Sequence, residues 1–263
     1  MSSAARKGIM ASRRYLFAKF FSAAEEAVHT LMAPKATVAS ESQSVISQAM
    51  SKFQEAYTRR MTTTMYLAGT AMCPNLNAAA LTDPAAVEKL VVRQLPRASA
   101  RTVWVGDIVA FTSPLVPAGA EAINSLMVRR VAAVEGAEMV PRGSDERPDD
   151  DDGADDFVIP PGHCWVLADN PDLRPPNVID SRSFGFIPMS NIVGRVVYSG
   201  RSATEHGPVT NSPLAQVVDA PVLENEVDPE ELFAEIGGGG EDNGGEGTGR
   251  GGEGERWCAE WLQ

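Results

Sequence analysis

The chain has 263 residues, 43% of them hydrophobic, three cysteines and a formal net charge of −12. That length buries one sizeable core or two small ones, and with no run of about 18 apolar residues a transmembrane helix of its own is not expected. The acidity is local: residues 141–156 hold eight acids and two arginines, residues 219–263 thirteen acids and two arginines, and what remains is basic. Net charge therefore says little about the core's partner. Cys73, Cys164 and Cys258 lack paired spacing, and His29, His163 and His206 stand far apart, so neither a disulfide framework nor a metal site is expected. No cofactor and no nucleic-acid partner are expected either.

Residues 1–24 carry Arg6, Lys7, Arg13, Arg14 and Lys19 and no acid, with Ser and Ala between them and Tyr15, Leu16, Phe17, Phe20 and Phe21 as an apolar side. This composition suits a targeting or membrane-surface segment over residues 1–34. It equally suits a surface helix with one buried face, ended by Pro34. In residues 40–60, Val45, Ile46, Ala49, Met50, Phe53 and Tyr57 recur at helical spacing, which predicts a second packed helix. Residues 1–60 thus form a basic helical region.

From residue 61 the pattern turns to strands: 62–69, 88–95, 103–112, 125–134, 157–160, 163–169 and 192–198. Residues 141–156 interrupt them as an acidic insertion, expected to be a solvated loop because four successive aspartates repel one another. Beyond residue 200 the strand signal fades. Residues 221–223 are predicted as a small strand and 230–236 as a helical turn. Between residues 237 and 254, eleven of eighteen residues are Gly, and residues 214–263 are expected to be an acidic, flexible Gly-rich tail. Trp257 and Trp261 end it, as a short docking motif or an unstructured end.

Residues 168–195, ADNPDLRPPNVIDSRSFGFIPMSNIVGR, carry the most specific signal. Asp180 and Arg182 flank Ser181, close enough for a bidentate pair that pins the loop to the domain. Phe184-Gly185-Phe186 needs a bend that Gly185 permits. With Asp169, Asn170 and Pro188, this stretch resembles the C-terminal box of the type I signal peptidases (family S26). The continuation to residue 213 is most similar to the plant-type, mitochondrial inner-membrane-protease-like branch. Two earlier stretches resemble further boxes. Gly69, Met72, Pro74 and Leu76 match the nucleophile box, and the strand with Arg130 matches the box of the catalytic lysine. The resemblance covers about residues 66–213. It implies a mainly β fold, an antiparallel signal-peptidase/LexA-like scaffold at 61–213, and Ser/Lys dyad chemistry.

The same resemblance puts Ala71 where the family has serine and Arg129 where it has lysine. Val178 replaces the serine that would orient the lysine. A methyl cannot attack a carbonyl. A guanidinium, with a pKa above about 12, cannot become a general base. Thr70 and Cys73 neighbour Ala71 as candidate relocated nucleophiles, but an adjacent residue in extended backbone points the other way. The expectation is a proteolytically inactive subunit of a membrane-associated complex, holding an extended peptide or presequence by strand addition at the mitochondrial inner membrane (or in a plastid). The alternatives are an active serine endopeptidase that processes presequences, and a membrane-surface structural protein.

Overall fold

A computed structural model describes residues 12–32, 42–115, 126–139, 157–234 and 256–258. Two helices open it, α1 (Arg13–Met32) and α2 (Ser42–Thr58). They pack as a hairpin, with Phe20 edge-on to Phe53 at 5.5 Å. Among the described residues no helix is long and apolar enough to cross a membrane.

The body is one sheet. Its long strands are β1 (Thr62–Ala68), β2 (Val87–Gln94), β3 (Ile108–Thr112) and β4 (Leu126–Val134). A short hairpin of β5 (Glu138–Met139) and β6 (Phe157–Val158) flanks the acidic insertion, which itself lies outside the described residues. Next come β7 (His163–Leu167), the single turn α3 (Ser181–Phe184), β8 (Ile187–Pro188), β9 (Ile192–Gly200) and β10 (His206–Pro208). Helices α4 (Pro213–Glu226) and α5 (Pro229–Ala234) follow, and β11 (Arg256–Cys258) ends the described chain.

The strand order is β11-β1-β2-β9-β3-β4-β7-β8, with β10 on β9, and every pairing is antiparallel except β1 with β11. The sheet curls, and β11, beyond β1 in that order, also touches β4. Both faces of β3 are buried, which is why its sequence is an unbroken apolar run rather than an alternation. Ile108 and Ala110 join Met65, Leu67, Leu90, Val128 and Val196 in one cluster. Val109 and Phe111 join Val131, Cys164, Val166 and Ile187 in another. Burial pushes the Cys164 thiol up to about 12, so it stays protonated and packs as a small apolar group.

Three expectations are corrected. The strand foreseen at 103–112 begins only at Ile108, because the Asp107 carboxylate accepts from the Trp104 N–H and turns the chain there. Residues 221–223 are helix, not strand. Ser212 caps α4 by accepting from the Ala215 N–H, and Pro213 sits in its first turn, where no N–H is needed. The flexible tail therefore does not start at 214: α4 and α5 pack on the sheet, with Val222 and Phe233 buried. The Gly-rich stretch from 237 lies outside the described residues.

Candidate active site

Strand β1 runs into a loop whose course is set by its neighbours. Gly69 turns the chain with φ +84°, a conformation a side chain would resist. Met72 and Leu76 are buried in the first cluster and anchor the loop from below. From the opposite side Asn170 holds it. Its N–H donates to the Ala71 carbonyl at 3.0 Å, and its side-chain amide to the Thr70 carbonyl at 2.9 Å. Asn77 closes the far end, donating from its side-chain amide to Gly69 O and Ala86 O.

Asp169 belongs to the same clamp. Arg130 grips its carboxylate with two bonds, at 2.8 and 2.6 Å, and Asn75 of the loop donates to it at 2.8 Å. The remaining guanidinium nitrogen of Arg130 reaches Gly106 O. Side chains alternate along a strand, so Arg129 leaves β4 on the opposite side. It is 1% exposed and donates to Ile179 O at 3.0 and 2.7 Å and to Val128 O at 2.7 Å. Residues 169–180 thus hold both positions of interest: Asn170 binds the loop of Ala71, and Ile179 binds Arg129.

The Asp-Ser-Arg triplet is the pin its sequence suggests. Asp180 is fully buried and caps α3 by accepting from the Arg182 N–H. Its oxygens also accept from the Ala168 N–H at 3.1 Å and from the Arg182 guanidinium at 2.6 to 3.2 Å. Ser181 accepts from the Val166 N–H at 2.9 Å. Burial alone would push the Asp180 carboxyl up. The hydrogen bonds from Arg182 and from two backbone N–H groups outweigh it and hold the carboxyl below the usual range. Gly185 ends α3 at φ +82°, which makes the bend between Phe184 and Phe186.

What this arrangement can do chemically is limited. Ala71 is 3% exposed and carries no hydroxyl, and Val178 is buried beside the pin. Cys73 is buried as well, and its thiol donates to Asn77 O at 3.1 Å. Of the motif residues, Pro74 alone is exposed without a side-chain bond to give, and Met72 serves only packing.

Sequence reasoning missed the anchors supplied by α4. Asp219 is 3% exposed in its side chain and lies between Arg93 of β2 and Arg195 of β9. Arg195 also pairs with Asp107 at 2.7 Å and lies over the Trp104 ring. Glu226 accepts from Met61 N–H, Thr62 N–H, the Thr62 hydroxyl and the Tyr15 hydroxyl. Both acids sit in a run that reads as a solvated tail. The available signal was the Ser-Pro start of a helix at 212–213 followed by two acids, Asp219 and Glu226, seven residues apart and so on one helix face.

Comparison with known proteins agrees with the C-terminal box at residues 168–195. The model of the family described as "Signal peptidase, peptidase S26" matches residues 140–199. The chain is 39% identical over 143 residues to the Mitochondrial ATP-independent inner membrane protease subunit 2 of Arabidopsis thaliana. That match covers 54% of this chain and 63% of the relative.

Proposed function

We propose that this chain is a member of the peptidase S26 signal peptidase family that keeps the family's frame without its peptidase chemistry. It serves as a non-catalytic, peptide-receiving subunit of a protease assembly at the mitochondrial inner membrane. The observation that carries this reading is Arg129. At the position of the dyad base stands a permanent cation, buried and committed to the Ile179 and Val128 carbonyls. A residue that cannot give up its proton cannot take one from a nucleophile. The Ala71 methyl at the position of the serine supports the same conclusion. The relative's name supports the compartment and the assembly, as does the basic, Ser- and Ala-rich start of the chain.

What such a frame retains is binding. An extended peptide adds to a strand edge through main-chain hydrogen bonds, which need neither a serine hydroxyl nor a lysine amine. The clamps that shape the edge, Asn170 on residues 70–71 and Arg130 on Asp169, are intact.

The name of the relative favours one other reading, an active endopeptidase with Thr70 or Cys73 as nucleophile. One experiment separates the two. Purified protein is incubated with a presequence peptide, and cleavage is followed by mass spectrometry. The wild type is expected to leave the peptide intact. The double variant Ala71→Ser with Arg129→Lys is expected to raise turnover by roughly a hundredfold or more over background, since nucleophile and base act as a unit. Wild-type cleavage that disappears in Cys73→Ala or Thr70→Ala would overturn the proposal.

A further inference from the structure

The last described residues lie along the outer edge of β1. Strand β11 pairs with β1 in parallel, Met65 opposite Arg256, Tyr66 opposite Trp257 and Leu67 opposite Cys258. β1 is the strand that leads into the loop of Ala71, and its other edge is already taken by β2. β11 also touches β4, the strand that bears Arg129. It therefore lies between the two strands that carry or lead to the dyad positions.

We propose that residues 256–258 are a tethered strand that occupies the outer edge of β1, so that this protein fills its own peptide-receiving edge with its C-terminal segment. The inference rests on the peptide-receiving reading above for its functional sense, though not for its geometry. An open strand edge offers a row of N–H and C=O groups and recruits any strand within reach. Every other described pairing in the sheet is antiparallel, so β11 is set apart by its direction and by its distance in sequence from the strand it joins. Its link to the body is the Gly-rich stretch after α5, which makes the pairing intramolecular and raises its effective concentration without demanding a strong contact. Only three residues pair. Each main-chain bond contributes modestly, so a longer peptide making more of them displaces the segment.

The test uses the full chain and one truncation. Trp257→p-benzoylphenylalanine is irradiated and the product digested. The expected product is a crosslink within one molecule to residues 62–68, whereas capture elsewhere, or only between two molecules, overturns the proposal. Ending the chain at residue 255 is expected to accelerate amide exchange in residues 62–68 by roughly tenfold, and unchanged exchange overturns it. Affinity for a labelled presequence peptide is expected to rise about tenfold in the truncated form, and equal measurable affinity in both forms overturns it. If crosslink and exchange behave as expected but neither form binds peptide, the strand assignment stands and the peptide-receiving reading falls.

Discussion

Two buried aspartates hold this molecule together in different ways. Asp180 is paired with Arg182, two residues away, whose side chain is 31% exposed. Asp219 is paired with Arg93 and Arg195, 126 and 24 residues away, whose side chains are 10% and 1% exposed. The first pair forms within a single turn and keeps one partner in water, so it shapes a loop at small cost. The second joins a helix to two strands and keeps all three side chains almost wholly out of water. Burial would lower the Arg195 guanidinium, but its bonds and attraction to Asp219 and then Asp107 more than reverse this. Removing one member of such a cluster strands the others in the interior. Position within the fold, more than the chemistry of the pair, sets what each is worth.

The comparison breaks most visibly at Asp219. Asp219→Ala is expected to destabilise the protein by about 3 to 5 kcal/mol, leaving Arg93 and Arg195 without that carboxylate; urea denaturation measures it. A loss below about 1 kcal/mol would erase the distinction just drawn. Arg130→Ala should fall between the extremes. It leaves Asp169, whose side chain is 6% exposed, with Asn75 as its remaining side-chain donor, and is expected to cost about 2 kcal/mol. Faster amide exchange in residues 70–75 would place that loss at the clamp.

The smallest effect belongs to Arg182→Ala, expected to cost about 1 kcal/mol because the Ala168 and Arg182 N–H groups still serve Asp180. Its sign with pH is fixed. The folded Asp180 carboxyl is held below its unfolded value, near 3.9. The stabilisation is therefore complete above that pH and is lost as pH falls through the lower folded value. Arg182→Ala should flatten this part of the acid limb in a pH series of thermal melts.

The same contrast explains what the sequence revealed. Asp180, Ser181 and Arg182 are adjacent, so their pin could be read without coordinates; Asp169 and Arg130 stood out only as motif residues, and their pairing across 39 residues had to come from the fold. The strands were legible from their β-branched runs, and the second helix from the spacing of Phe53 and its neighbours, though not its pairing with the first. Asp219 and Glu226 were not legible. A carboxylate in an acidic run looks solvated, and only the docking of α4 on the sheet turns it into a buried anchor. The entry to β3 was misplaced because the Asp107 hydrogen bond to Trp104 overrides the β-prone residues around it. The pairing of β11 had no local signal, since a strand added from a distance is written in the edge that receives it.

Glu226 gives the molecule a mechanical property. One carboxylate ties the Tyr15 hydroxyl of α1 to the first residues of β1, and the Arg60 side chain closes on the Glu226 carbonyl. Any displacement of α1 is therefore coupled, through one carboxylate, to the root of the strand that leads to residue 71. The helical hairpin and the first strand thus share a single hinge pin, and neither can shift far without the other.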